Sequence, residues 1–289
     1  MSSKAPSESS IEAPSIGGVH PRRPTLGRSE GILALSVASV PLLVLVLLPV
    51  GALVGYLRPA QWWEHLRSPM AVEALWLTLR TTAVSTLLCV VLGLPLAYLL
   101  ARHRFPGREA LDTLVDLPIT LPPVVVGVAL LLAFGRLGVV GRHLDALGIQ
   151  VGFSTAAVVM AQTVIASPFF VKAARSGFEA ADPKLEQAAR VLGASWWVAF
   201  RKVTLPVARP SLLAGVALAW ARALSEFGAT ITFAGNLPGR TQTLPLAVMS
   251  ALESDLDTAV AVAGLSLILG LVALFTAKSL ARSWSVPGV

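Results

Sequence analysis

Charge is scarce in this chain: only 13% of its 289 residues are Asp, Glu, Lys or Arg. A soluble domain of that length needs a more polar surface, so a soluble globular reading is excluded. Cysteine is scarcer still. The single Cys89 lies in an apolar run without a partner for an internal disulfide, and it says nothing about redox compartment. No Cys/His cluster has metal-ligand spacing. The four histidines, His20, His65, His103 and His143, fall in the N-terminal stretch or in loops, where solvated or interfacial roles are ordinary. The pattern G-x-x-x-x-G-K-[ST] is absent, so the chain does not bind ATP through a P-loop. No Ser/His/Asp set is indicated, and intramembrane catalysis would place ionisable residues in several apolar segments, where few occur.

Apolar sequence is what the chain has in quantity. Hydrophobic residues make up 55% of it, and the mean hydropathy is +0.73. Several stretches reach the length of about 20 apolar residues needed to cross a bilayer. Residues 1–30 differ: rich in Ser, Pro and Gly, they read as a disordered tail. The first apolar run, 32–57, starts too far in and runs too long for a secretory leader, and it reads as a retained span. Five further spans are predicted at 75–100, 114–134, 155–175, 207–227 and 259–280. The organisation expected is an all-α integral membrane protein of about six spans. It comprises a tail (1–30), a first span with its external loop (31–72), a transmembrane domain (73–280) and a C-terminal tail (281–289).

The balance of charge is positive, with 23 Lys and Arg against 16 Asp and Glu. In a soluble protein a net +7 would point to nucleic acid. In a membrane protein it reflects Lys and Arg collected in cytoplasmic loops. With the N-terminus inside, sixteen positive residues fall in inside segments and five outside: Arg58, Arg67, Arg136, Arg142 and Arg240. The bias places both termini in the cytoplasm, together with the polar loop 182–206.

That loop, DPKLEQAARVLGASWWVAFRKVTLP, interrupts an otherwise apolar protein. Asp182 before Pro183 is an N-cap followed by proline at the first helical position. Leu185, Ala188, Ala189 and Leu192 recur at i, i+3, i+4 and i+7, one face of a helix. Gly193 supplies a conformation that ends this helix or turns the chain. Ser195 is a cap for a second short helix with an apolar stripe of Trp196, Ala199, Phe200 and Val203, and Pro206 and Pro210 punctuate entry to the fifth span. Small residues at Ala188 and Ala189 let another backbone approach closely; an amphipathic helix lying on the membrane surface fits the same periodicity. A second interruption lies in LPITLPPVVVG, residues 117–127, whose prolines and glycine remove backbone donors. Such breaks are tolerated in lipid where protein or a water-filled cavity satisfies the freed carbonyls, or they are packing kinks.

The loop resembles the signature of ABC importer permeases, E-A-A-x3-G-x9-I-x-L-P. Here it reads Gln187-Ala188-Ala189, then Gly193, then Val203-Thr204-Leu205-Pro206, with every spacing kept. Gln187 stands where glutamate is usual, with Glu186 adjacent, and Val203 replaces isoleucine. The resemblance implies that Glu186, Gln187, Ala188, Ala189, Gly193, Leu205 and Pro206 couple this chain to a separate ATPase subunit. The similarity runs from about residue 73 to 280. Within it, ARALSEFGATITFAGNLPGRTQTLPLAVMSALE, residues 221–253, resembles the molybdate branch, although Ser225 stands where that branch commonly has glycine. Sulfate and thiosulfate permeases differ more around Asn236, Pro238, Gly239 and Thr241; tungstate is not separable from molybdate.

A dianion crossing lipid needs hydrogen-bond donors or modest positive potential. Thr81, Thr82 and Thr120 are candidate path residues on that ground, and Pro122 is one because it breaks the third span; the same hydroxyls also serve as helix-packing contacts. Arg222 and Glu226, four apart and on one helix face, are candidate gate residues or a structural pair. The resemblance further implies a multi-pass plasma or inner membrane homodimer. It would work with an extracytoplasmic molybdate-binding protein, hold no cofactor of its own and catalyse nothing itself, since ATP is used by the partner. A secondary transporter or channel would instead show carboxylates inside several spans or inverted repeats.

Overall fold

A computed structural model describes residues 28–56 and 59–282. The tail expected at 1–30 falls outside the described residues up to position 27, as does the C-terminal tail from 283. The described residues are helical, with no strand among them. Chain packing divides the molecule into two units, residues 1–51 and 52–289. The first holds most of α1 (Arg28–Tyr56), whose side chains from Val37 to Tyr56 are apolar on every side and almost all exposed. That all-round pattern belongs to a helix surrounded by lipid and not to one with a core-facing stripe.

The second unit is built on three long helices. α3 (Pro69–Arg102) and α7 (Thr155–Ala180) run parallel, and α10 (Leu205–Leu224) runs antiparallel to both. The directions follow from matched contacts. Ser85 bonds Gln162, and a Cβ added at Gly93 would lie 2.9 Å from Phe170; Gly177 meets Ser211, while Gly215 meets Ala173 and Phe170. Small residues at these crossings let the backbones approach, and close packing drives association where lipid removes the hydrophobic advantage of burial. α3 turns Thr78, Thr81, Thr82, Ser85, Thr86 and Cys89 inward, a stripe at helical spacing. The hydroxyls of Thr78, Thr81, Thr82 and Ser85 return to carbonyls three or four residues back, as from Thr78 to Ala74 and from Thr81 to Leu77, whereas the Thr86 hydroxyl is buried without a partner among the described residues. Ser68 and Ser154 cap α3 and α7 by accepting from Ala71 and Ala157.

One predicted span is corrected. The third is not one helix over 114–134. It is α4 (Arg108–Thr120) and α5 (Pro123–Phe134), bent 114° apart. Pro122 and Pro123 together remove two donors, and a residue before proline avoids helical backbone; Leu121 and Pro122 are accordingly extended, with ψ 141° and 133°. Counting the bent pair as one crossing gives six candidate spans, and five without it. α4 lies along the end of α7, held by Arg175–Asp112 at 2.6 Å and Lys172–Asp116 at 2.9 Å. The fifth span stops at Leu224, short of residue 227. After it, α11 (Gly228–Ala234) and α12 (Leu244–Leu252) form two short helices joined by a loop that folds back into the bundle, burying Thr241, Gln242 and Thr243. There the Leu244 N–H is received at 2.8 Å by the hydroxyl of Thr78. α13 (Leu256–Arg282) closes the unit against α10 and α12, and α2 (Pro59–Leu66) is tied to it by Trp62 Nε1 donating to the Ala261 carbonyl. α6 (Gly141–Ala146) sits in the α5–α7 connection.

Candidate functional site

Two places gather the residues singled out from sequence. The first is the polar loop. α8 (Pro183–Val191) starts on Asp182, whose carboxylate accepts from the Lys184 N–H at 2.9 Å, with Pro183 at the first helical position. Gly193, at φ +89°, ends it: the Gly193 N–H reaches Arg190 O and the Ala194 N–H reaches Ala189 O. This paired 5→2 and 6→1 bonding is a Schellman stop, and its left-handed residue is best supplied by glycine. Ser195 caps α9 (Trp196–Ala199), accepting from Val198. A π-helical turn (Phe200–Thr204) then runs straight into α10, so Pro206 sits in a first turn and not at a break.

The orientation of α8 is inverted relative to a core helix. Most of its apolar side chains face solvent: Leu185 and Leu192 of the stripe are 52% and 87% exposed, and Val191, beside the stripe, is 87% exposed. Gln187 and Ala188 are exposed too, while Ala189 is half-buried. The residue that turns inward is Glu186. Its Oε1 accepts from the Tyr98 hydroxyl at 3.1 Å and its Oε2 from the Thr204 hydroxyl at 2.9 Å. Beneath it Tyr98, Phe178, Trp196 and Phe200 pack as edge-on and stacked rings with centroids 5.1 to 5.9 Å apart around Tyr98 and Phe200. Leu205 joins this core and Pro206 is exposed. Glu186 therefore fastens α8 to α3 and to the foot of α10, with α7 entering directly from the other side. Sequence reasoning missed Tyr98 and Thr204. A signal existed: Tyr98 is one of two tyrosines, near the end of an apolar span, and a buried phenol needs an acceptor.

The second place is inside the bundle. Glu226 is only 1% exposed. Its Oε1 accepts from the Ala229 N–H at 2.8 Å and so caps α11. Its Oε2 lies 2.9 Å from Arg222 Nη2, within ion-pair reach but without a directed hydrogen bond. Gly228 packs on the broken third span: a Cβ there would lie 3.0 Å from Pro123 Cβ and 3.1 Å from Val124 N. The break at Pro122 thus adjoins the Arg222–Glu226 pair, and two interrupted segments meet at one level. Nearby, Gly127 packs against Thr232 and the Ala229 backbone. Of the other path candidates, Thr120 stands at the same break, two residues before Pro122, while Thr81 and Thr82 lie on α3. Thr81 is buried and donates to Leu77 O, Thr82 accepts from Trp220 Nε1 at 3.1 Å, and Thr120 is exposed at the end of α4, donating to Leu117 O. Farther along, the Asn236 and Gln242 amides both donate to Ser250 Oγ, at 2.8 and 3.1 Å, a polar cluster not foreseen from sequence.

Residues 90–285 match the family described as binding-protein-dependent transport system inner membrane component. The chain is 45% identical over 235 residues to the molybdenum transport system permease protein ModB of Mycobacterium tuberculosis, covering 80% of this chain and 86% of that one. It is 39% identical over 241 residues to the sulfate transport system permease protein CysT of Escherichia coli, covering 82% and 87%. Among solved structures, a bacterial ABC transporter involved in the import of the acidic polysaccharide alginate superposes with a TM-score of 0.70 at 18% identity, over 89% of this chain and 97% of that one. At that identity the likeness speaks for the fold alone.

Proposed function

This chain belongs to the family of binding-protein-dependent transport system inner membrane components, and from that premise we propose that it is the permease subunit of an ABC importer for molybdate. It works as a homodimer, receives the oxyanion from an extracytoplasmic binding protein, and is driven by a separate ATPase subunit docked on α8. The chain itself hydrolyses nothing and holds no cofactor. Both termini and α8 lie in the cytoplasm, the side favoured by the distribution of Lys and Arg.

One observation carries this reading: α8 presents its apolar stripe outward while Glu186 anchors its inner face to α3 and α10. An exposed apolar face of that kind marks an interaction surface. A force applied to it enters α7 through the chain, α3 through Tyr98 and α10 through Thr204. The three central helices then move together, and the interrupted segments at Pro122 and Glu226 lie where their relative motion opens or closes a route. The molybdate reading rests on the relatives at 45% identity, and the sulfate relative at 39% favours sulfate as the second reading. Uptake into vesicles holding the chain, its ATPase and its binding protein separates them. Molybdate and tungstate are expected to enter in an ATP-dependent way, with sulfate much slower; sulfate uptake at the molybdate rate overturns the assignment.

A further inference from the structure

At the end of α7 opposite α8, the connection from α5 to α7 (135–154) meets the loop that follows α11, leaving a cleft of 270 Å³ lined by Arg136, Asp145, Ile149, Phe153, Leu237 and Arg240. Phe153 holds φ +56°, the one positive φ of a residue other than glycine among the described residues. A bulky residue is an outlier there and persists only where its surroundings over-determine it. They do so here. The Phe153 N–H donates to the Phe233 carbonyl at 3.2 Å, and a Cβ added at Gly235 would lie 3.1 Å from Phe153 Cδ1. Yet the phenylalanine so placed is 52% exposed, with Ile149 at 52% and Leu237 at 42% beside it. The charges in the cleft are unevenly used. Asp145 is taken, by Arg136 Nε at 3.2 Å and by Gln150 Nε2 at 3.1 Å. Arg240 is exposed and its side chain has no partner among the described residues, although its backbone is fixed by the Thr155 hydroxyl donating to its carbonyl at 2.9 Å. Glu73, whose Oε2 lies 3.2 Å from where a Gly239 Cβ would stand, forms no ion pair with it. Aromatic and arginine side chains around an open cleft have the composition of a protein contact, and an unpaired guanidinium selects a carboxylate. We infer that this cleft seats the extracytoplasmic binding protein, whose aspartate or glutamate side chain pairs with Arg240 while an apolar residue packs on Phe153, Ile149 and Leu237. This rests on the proposed importer, with α8 in the cytoplasm and this end outside, and adds the chemistry of the partner's surface. It also adds a route inward: Phe153 is bonded to the last turn of α11, and α11 starts on the Glu226 carboxylate, so docking bears on the Arg222–Glu226 pair through one helix of seven residues.

The test uses the full-length chain with its ATPase in nanodiscs, and the molybdate-loaded binding protein as the probe. Arg240→Glu is expected to weaken binding at least about thirtyfold, because like charges facing each other across a contact are heavily penalised. Arg240→Gln is expected to weaken it less and to flatten its dependence on salt. Phe153→Asn keeps a residue tolerant of positive φ and removes the ring; binding about tenfold weaker is expected. A scan of surface Asp and Glu to Arg on the binding protein is expected to find one position that binds the unaltered chain poorly and regains binding to Arg240→Glu. Ile149→Cys puts a thiol in the cleft, the native Cys89 being buried. A membrane-impermeant maleimide is expected to label it in free nanodiscs and to be blocked once the binding protein is seated. Should Arg240→Glu not insert as a monodisperse protein, Arg240→Gln and the Ile149→Cys labelling decide. Binding by the Arg240 and Phe153 variants equal to that of the unaltered chain overturns this inference alone, as does labelling that the binding protein leaves unchanged. No labelling in free nanodiscs also overturns it, since the cleft would then lie in lipid. So does saturable binding of molybdate alone that Arg240→Glu abolishes, since the cleft would then hold the oxyanion. Disappearance of the Arg240→Gln effect in a Glu73→Gln background overturns it as well, since the acceptor would then be internal. No binding of the binding protein by the unaltered chain overturns both this inference and the importer reading.

Discussion

Glu226 carries two duties on one carboxylate: Oε1 caps α11 and Oε2 faces Arg222. A charge held 1% exposed beside a helix break is expensive unless matched, and removing one partner of a buried pair costs about 3–5 kcal/mol. Glu226→Gln keeps the capping oxygen and removes the charge. It is expected to lower the thermal midpoint while the protein still inserts, because Arg222 is 24% exposed and keeps access to solvent, and to raise the ATP consumed per molybdate delivered several-fold; unchanged stoichiometry in vesicles counts against a gating role. Glu186 makes a contrasting case. Tyr98→Phe deletes one of its two donors while keeping the ring cluster. The loss of about 1–3 kcal/mol for a hydrogen bond to a charged group is expected to loosen α8 and reduce transport while the ATPase still binds, as measured by uptake alongside co-purification.

At the scale of elements, the stop at Gly193 fixes where α8 ends and α9 begins. Gly193→Val has open space for its side chain but must hold φ near +89°, which costs a β-branched residue roughly 1–3 kcal/mol. The variant is expected to insert normally and to lose the ATPase on co-purification; normal retention counts against docking through α8. The α5–α11 crossing tolerates less. A Cβ at Gly127 would sit 1.8 Å from Thr232 Oγ1 and 2.9 Å from the Ala229 backbone. Gly127→Ala is expected to lower the thermal midpoint by an amount corresponding to about 1–3 kcal/mol. Adding Thr232→Ala restores only part of it, because the backbone clash remains. The two helices of the loop were legible in sequence because caps and stops act locally: Asp182, Pro183, Gly193 and Ser195 each do where they stand what their chemistry dictates. The break at Pro122 was legible as a loosening but not as a 114° bend, since the angle depends on what α4 finds to lie on, the ion-pairing face of α7. α11 and α12 were not legible. Their starts depend on a carboxylate folded back from Glu226 and on contact with α3, 166 residues away from Leu244, and neither leaves a periodic trace. Periodicity also gave the right face of α8 without its direction: i, i+4 spacing reports that a stripe exists, and only the pairing of Glu186 with Tyr98 and Thr204 reports that it points outward.

At the scale of the whole molecule, the central trio α3, α7 and α10 is stitched by small residues and hydroxyls that close around a few large apolar side chains, Phe170 and Phe178 of α7 among them. Helices in lipid gain little from burying apolar surface against each other, so close contact and internal hydrogen bonds hold them. On the proposed function such a trio would move as a body, and the elements that interrupt it, the α4–α5 bend and the α11–α12 fold-back, would take up the displacement. The proposed assembly is therefore expected to respond as one unit. ATP-dependent uptake should vanish when the ATPase is omitted, and not fall to a residual passive rate of the kind a channel would show. Substantial molybdate flux through the chain alone would favour the channel reading.

The outward stripe on α8 has a consequence for how such a protein is made. Leu185, Val191, Leu192 and Trp197 stand 52 to 87% exposed on a polar loop, with nothing among the described residues that covers them. Until a partner arrives, that patch has the character of an unfinished surface, of the sort chaperones hold and proteases clear. In the proposed assembly, a copy made in excess of its ATPase would carry its own mark of incompleteness, and subunit numbers would be matched without sensing either transport or substrate.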